Sequence, residues 1–227
     1  DVRDNVCALE FQPEEYGYLG GRTIAESGAQ KAGYVSVYEN GFDNRVLYGF
    51  LQGVGNASVS VKYIEEQTNV VKAEDYASSA YQNGVTAIFD MSGRSALGSL
   101  DAAKKKGGTI YFGGVDLKKA AKESRDDAEL ETIRGGVEKN YVEAMKTIRD
   151  MAKNGFETGT TKYLSAKDGA FICDLSAENV KYLSDNPQDF EQLSDEKIAK
   201  DESAYTPKHS VDSAYHEAVP SCADTND

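Results

Sequence analysis

The residues best placed for chemistry are carboxylates, hydroxyls and glycines at the ends of short apolar runs. Residues 85–107 read VTAIFDMSGRSALGSLDAAKKKG: Val85, Ala87, Ile88 and Phe89 stop at Asp90, and a turn of Ser92, Gly93 and Ser95 follows. A helical pattern then carries Leu97, Leu100, Ala102 and Ala103. A second run, TIYFGGV (109–115), ends at Asp116. An ionised carboxylate accepts hydroxyl protons, glycine lets backbone approach a bound group closely, and a helix start offers unpaired N–H groups. In open α/β sheets ligands collect beyond the carboxyl ends of the strands, which makes Asp90, Ser92, Gly93 and Asp116 candidate binding residues. Each position also has an ordinary reading: Asp90 as a loop or cap carboxylate, Asp116 as a solvated strand end, and Ser95 as a helix cap.

Catalytic and metal chemistry have no comparable signal. The segment SGRSALG lacks both the Gly-Lys-Ser/Thr ending of a phosphate cradle and the glycine pattern of a dinucleotide fingerprint. His209 and His216 lie in a polar tail, at a spacing that makes no convincing metal pair. Cys7, Cys173 and Cys222 are odd in number and lack ligand spacing, so at most one bridge plus a free thiol fits. Cys7 and Cys173 sit inside apparent strands as small core residues, and no nucleophile carries a base and an orienting group. Neither an enzymatic activity nor a cofactor is expected. An enzyme of flavodoxin or hydrolase type, using Asp90 and Asp116, ranks last for want of a lysine-bearing loop.

Charge narrows the partners. Thirty-eight Asp and Glu against 25 Lys and Arg give a net charge of −13, which argues against a sequence-independent phosphate-backbone binder and makes nucleic acid a poor partner. Lys104, Lys105 and Lys106 fit the C-terminal end of a helix, where cations complement the dipole. No apolar run reaches the roughly 18 residues of a membrane span, and the chain is expected to be soluble as given. It opens at Asp1, and the expectation is an upstream segment, cleaved or not represented, that holds the targeting information.

These residues need elements to position them. VCALEF (6–11) reads as a strand, followed by a helix opened by Pro13 with Glu14 and Glu15 in its first turn. KAGYVSVY (31–38), VSVKYI (59–64), the run ending at Asp90 and TIYFGGV read as further strands. Helices are expected over 45–54, 73–82 and from Ser95 onward, the first capped by Asp43 or Asn44. Gly49 and Gly53 each weaken the helix over 45–54 by about 1 kcal/mol relative to alanine, a cost tolerated where a helix packs close to a sheet. Strands alternating with helices predict a parallel sheet covered on both faces, an α/β three-layer sandwich. Beyond Asp116 the pattern predicts a poorly periodic stretch over 117–128. A helix over 137–154 follows, with a stripe of Tyr141, Met145, Ile148 and Met151. Next comes a hairpin pairing 160–164 with 170–173 across Lys167-Asp168-Gly169. Short helices over 177–183 and 195–200 and a disordered, acidic end complete the reading.

The order KAGYVSV, RVLYGFLQGV, YQNGVTAIFDMSG, SLDAAKKKG and GVD resembles the second lobe of the basic membrane protein family. These are purine-nucleoside-binding lipoproteins of bacterial ABC importers, built on the type I periplasmic-binding-protein fold. The lead-in NVCALEFQPEEYGYLGG is similar to the family's NVASVTF strand and the helix after it. The resemblance covers most of residues 5–175 and lacks the family's first lobe, which contributes about half of the nucleoside pocket.

The resemblance implies a division into a lead-in strand and crossover helix (1–30), a ligand-binding lobe (31–165), and a hairpin remnant with an acidic tail (166–227). It implies that Gly93 is the close-approach glycine and Asp116 the ribose-binding aspartate, with Asp90 departing from a usual small residue. Gln67 stands where the family presents a stacking phenylalanine, and Glu138 where it presents a lysine. It implies an extracytoplasmic location, with a lipid anchor in the missing N-terminal segment. The implied partners are a small-molecule ligand of the nucleoside class and the importer membrane subunits. The alternative expectation is a single-lobe structural or interaction domain that has lost transport and self-associates or packs on another chain.

Overall fold

A computed structural model of the chain describes residues 3–114 and 117–173. The order of elements is β1 (Cys7–Phe11), α1 (Pro13–Glu26), β2 (Lys31–Ser36), α2 (Gly41–Gly53), β3 (Ser58–Tyr63), α3 (Val70–Gln82), β4 (Ala87–Asp90), α4 (Ala96–Lys106) and β5 (Thr109–Gly113). Then follow α5 (Leu117–Lys122), α6 (Asp127–Leu130), β6 (Ile133–Lys139), α7 (Tyr141–Asn154), β7 (Thr160–Leu164) and β8 (Phe171–Cys173).

Six strands form one sheet in the order β3-β2-β4-β5-β6-β8, parallel throughout except for the β6–β8 edge pair. Helices cover both faces, as expected for the three-layer α/β sandwich. Tyr16, Leu19, Leu47 and Phe50 of α1 and α2 pack on Tyr34, Phe89, Tyr111 and Val137 on one side. Ala77, Tyr81, Leu100 and Ala103 of α3 and α4 pack on Val35, Ile88, Ile110 and Phe112 on the other. Burial on two faces explains why β2 and β4 read as continuous apolar runs.

The helix glycines answer to a neighbouring helix. A β-carbon on Gly49 would lie 1.8 Å from the Glu14 carbonyl oxygen, and one on Gly17 1.8 Å from that of Val46. The α1 and α2 backbones therefore touch, and the expectation that Gly49 and Gly53 serve close packing on the sheet is corrected to helix on helix. The pair is tied further by Glu14, whose fully buried carboxylate accepts from Arg45 Nε and Nη2, at 2.7 and 3.0 Å. Through this contact α1, read from sequence as part of a lead-in, belongs to the core of the lobe.

Three local expectations are corrected. First, the segment 133–139 is strand β6, and the helix starts only at Tyr141 under an Asn140 cap. The strand was hidden by Gly135 and Gly136, which carry no strand signal. Gly136 is needed because a β-carbon there would sit 2.6 Å from the Phe112 oxygen. Second, β7 and β8 do not form a hairpin. The turn 166–169 instead sends β7 to pair in parallel with β1 as a separate two-stranded ribbon, and β8 to pair with β6. Third, α2 is capped by Asn40, whose side chain accepts from the amides of Phe42 and Asp43, so the helix begins four residues earlier than expected.

Two smaller points belong with these. Ser95 makes no capping bond but donates to the Glu66 carbonyl, and the stretch after Asp116 contains α5 and the capping-box turn α6. The expected helices over 177–183 and 195–200, the tail, both histidines and Cys222 lie outside the described residues. Cys7 is a free thiol.

Among the described residues, the ribbon of β1 and β7, with α7 against it, shares a small core of Phe11, Ala144, Leu164 and Ala170. The stripe expected to seat α7 is turned outward instead: Tyr141, Met145 and Ile148 are 64, 62 and 37 % exposed, with Val142 beside them at 65 %.

Candidate ligand-binding site

The parallel register brings the loops after β2, β3, β4, β5 and β6 to one end of the sheet. Gly93 lies in the loop after β4 in the left-handed region, φ +62°, and a β-carbon there would meet nothing within 4 Å. That backbone conformation, rather than any close neighbour, is what calls for glycine here.

Asp90 and Ser92 frame this loop. Asp90 Oδ1 accepts from the Ser92 amide at 2.7 Å and from the Ser92 hydroxyl at 2.6 Å, and both residues are buried. The alternation of β4 puts Phe89 toward α1 and α2 and Asp90, like Ile88, toward α3 and α4. Burial pushes the Asp90 carboxyl above the usual carboxylate range, against the opposing pull of the Ser92 and Ser99 hydroxyls. Oδ2 and the Ser99 hydroxyl are nonetheless both without a hydrogen bond of acceptable geometry. Asp90 is thus a turn anchor on the far side of the sheet from the α1–α2 face.

Gln67 is exposed on the loop between β3 and α3. That loop begins with Glu65 at φ +65°, the one non-glycine residue with positive φ among the described residues. Its amide donates to the Val37 carbonyl at 2.6 Å and its carboxylate meets Lys72 at 2.9 Å, which together hold the turn. Asp116 lies outside the described residues.

The end of β6 holds a group that sequence reading missed. Strand alternation puts Val137 and Lys139 on the α1–α2 side and Glu138 on the opposite side, paired with Ile172 across the β6–β8 edge. The Lys139 ammonium lies 4.7 Å from the Phe42 ring centroid, 5.6 Å from that of Phe11 and 6.0 Å from that of Tyr16. Cation–π attraction of this kind stabilises a partly desolvated cation. Burial still lowers its proton affinity, offset by the charges of Glu10 and Asp43.

Asp43, in the first turn of α2, accepts from the Ser36 hydroxyl at the end of β2 and from the Asn40 side chain. Burial pushes its carboxyl up, while those two bonds and the Lys139 charge pull it down. The Tyr34 hydroxyl donates to the Asp43 carbonyl at 3.4 Å. Lys139, Phe42, Asp43 and Ser36 thus form one polar and aromatic group at the carboxyl ends of β2 and β6. The signal for Lys139 was its two-residue spacing from Val137, which is visible only once 133–139 is recognised as a strand.

A cavity of about 710 Å³ opens elsewhere, between the end of α7 and the starts of β1 and β7, where Cys7, Thr147 and Thr160 line it. No buried charge faces it. Among the described residues no group of three or more His, Cys, Asp or Glu can hold a metal, and no helix is long and apolar enough to cross a membrane.

Comparison with known proteins bears on this geometry. Basic membrane protein D of Borreliella burgdorferi is 28 % identical over 120 residues, 51 % of this chain and 35 % of that protein. The CD4+ T-cell-stimulating antigen of Listeria innocua is 31 % identical over 109 residues, 46 % and 30 % of the two chains. The aligned part is about a third of these relatives' length.

Among solved structures, an ABC transporter solute-binding protein from Conexibacter woesei superposes with a TM-score of 0.64 at 14 % identity, covering 84 % of this chain and 65 % of its own. One from Aeropyrum pernix gives 0.62 at 19 % identity, covering 86 % and 56 %. Both likenesses establish the type I periplasmic-binding fold. The family described as ABC transporter substrate-binding protein PnrA-like (Bmp) matches residues 1–213, and with sheet, loops and relatives in agreement the chain belongs to that family of solute-binding proteins.

Proposed function

We propose that this chain is the second lobe of an extracytoplasmic solute-binding protein whose ligand is a purine nucleoside. The ligand would rest on the loops at the carboxyl ends of β2 to β6, with the Gly93 backbone close against it and Asp116 accepting from ribose hydroxyls. Lys139, rather than Glu138, supplies the pocket cation. The observation that carries the reading is the Lys139 ammonium, partly buried and without a hydrogen bond or ion pair among the described residues, at the loop end of a chain of this family. A desolvated ammonium with free donors favours a ligand rich in acceptors. Asp90 and Ser92 act as frame, and Gln67 forms part of the rim.

The opposing wall comes from the family's first lobe, seated on the outward face of α7 and the β1–β7 ribbon, and closure of the lobes buries the ligand. In this reading the partners are importer membrane subunits, and a lipid anchor holds the protein outside the cytoplasm.

Titration of the ¹⁵N-labelled chain with inosine and adenosine tests this reading. Shifts at Gly93 and Lys139 are expected below about 5 mM ligand, with loss in Lys139→Met; no shift with either nucleoside by that concentration rejects it. A second reading, a lone lobe that packs on another chain, draws on the same α7 face. Light scattering showing self-association in a chain that binds no nucleoside would favour it.

A further inference from the structure

We propose that Asn154 is a site of spontaneous succinimide chemistry, at which the folded chain converts this asparagine to aspartate or isoaspartate. The sequence holds three Asn-Gly pairs, at Asn40, Asn83 and Asn154, and a glycine, with no β-carbon, lets its nitrogen approach the preceding side chain. In the reaction the Gly155 nitrogen gives its proton to solvent base and bonds to Asn154 Cγ, and the Cγ–Nδ2 bond breaks to release ammonia. Water then opens the ring at one of its two carbonyls. Opening at Cγ yields aspartate, and opening at the backbone carbonyl yields isoaspartate, with an extra carbon in the main chain.

The fold restrains two of the pairs and leaves the third free to react. Asn40 caps α2: its Oδ1 accepts from the Phe42 and Asp43 amides, both at 3.0 Å, and its Nδ2 donates to Asp43. Attack there requires breaking the cap. At the second pair the Asn83 amide donates to the Ser79 and Ala80 carbonyls at 3.0 and 3.1 Å, and the Gly84 amide, the would-be nucleophile, donates to that of Tyr81 at 3.1 Å. Asn154, by contrast, is the exposed last residue of α7. Its helix ends without the amide-to-carbonyl bond that closes α1, α2, α3 and α4. Among the described residues neither the Gly155 amide nor the Asn154 side chain has a hydrogen bond. Gly155 sits at φ +96°, and a β-carbon there would meet nothing within 4 Å. Both residues line the cavity of about 710 Å³, which leaves room for the ring and for water. Conversion puts a carboxylate at the negative end of the α7 dipole, one turn beyond Asp150, and both neighbours oppose the new charge.

The test incubates the whole chain at mildly alkaline pH, once native and once in urea, and follows each Asn-Gly peptide by tandem mass spectrometry against a zero-time digest. Exchange of the side-chain NH₂ for OH marks conversion, and methyl transfer by an isoaspartate-specific methyltransferase counts the branched product. Breaking a cap or one backbone bond before attack slows a site roughly 2- to 30-fold. The expected result is that Asn154 leads Asn40 and Asn83 by that range in the native chain, and that the three converge in urea, where only the local sequence acts. Asn154→Gln should remove most of the methyl acceptance of the aged native chain. A native Asn154 that converts no faster than Asn40 or Asn83 overturns the proposal, as does full methyl acceptance in Asn154→Gln. A lead that persists unchanged in urea overturns it too, because it would then come from the neighbouring residues and not from the fold.

Discussion

Replacing Asp90 by asparagine should stabilise the protein at neutral pH and do little in acid. Burial raises the Asp90 pKa in the folded chain. A carboxyl so shifted contributes stability that is fully present below its unfolded value and is lost as pH rises through the folded one. In the folded chain Oδ1 is bonded to Ser92 and Oδ2 is unpartnered, and an unsatisfied buried oxygen costs about 1–3 kcal/mol. Asparagine keeps an acceptor for Ser92 and turns an amide toward the equally unpartnered Ser99 hydroxyl. Its two bonds from Ser92 lose charge assistance, which returns part of the gain.

The net is about 1 kcal/mol of stabilisation, a rise of about 2–4 °C in Tm for a chain of this size. Melts followed by circular dichroism at about pH 7.5 and about pH 4.5 measure it. The gain should shrink at the lower pH, where more of the native carboxyl is protonated. An Asp90→Asn chain destabilised by more than about 1 kcal/mol at neutral pH, or shifted equally at both, would refute the burial argument.

Two further substitutions probe the α1–α2 contact. Gly49→Ala gains about 1 kcal/mol in helix propensity but drives a methyl group to 1.8 Å from the Glu14 carbonyl oxygen. Urea unfolding should therefore show a net loss of at least about 2 kcal/mol, and a gain would mean that the helices do not touch. Glu14→Gln leaves the mostly buried Arg45 guanidinium without its carboxylate, at an expected cost of about 3–5 kcal/mol. A change below about 1 kcal/mol in the same assay would show that the pair is compensated by water.

How much of this was legible in the sequence depended on whether a segment carried its own signal. The strands ending at Ser36 and Asp90 announce themselves as apolar runs because both faces are covered, and Gly93 stands out because a turn with positive φ favours glycine. By contrast, β6 contains Gly135 and Gly136, the second demanded by the closeness of Phe112 rather than by any local preference. The resemblance matched the family's lysine to Glu138, one residue from Lys139, and in a strand a slip of one residue exchanges the two faces. The hairpin failed for a related reason: Gly169 does hold a left-handed turn, φ +71°, but a turn does not say which strands meet beyond it.

The sequence alone determined the alternation of strand and helix, the acidic charge, and the loop that holds Gly93, because each follows from periodicity, composition or backbone freedom within a few residues. Only the tertiary structure decided that Asp90 turns to α3 and α4 while Lys139 turns to Phe42, that Gly49 faces Glu14, and that the apolar stripe of α7 looks outward. These are choices of partner between segments distant in the chain. They are made by which surfaces exclude water together and which charges must be neutralised, and no window of local sequence contains both halves of such a contact.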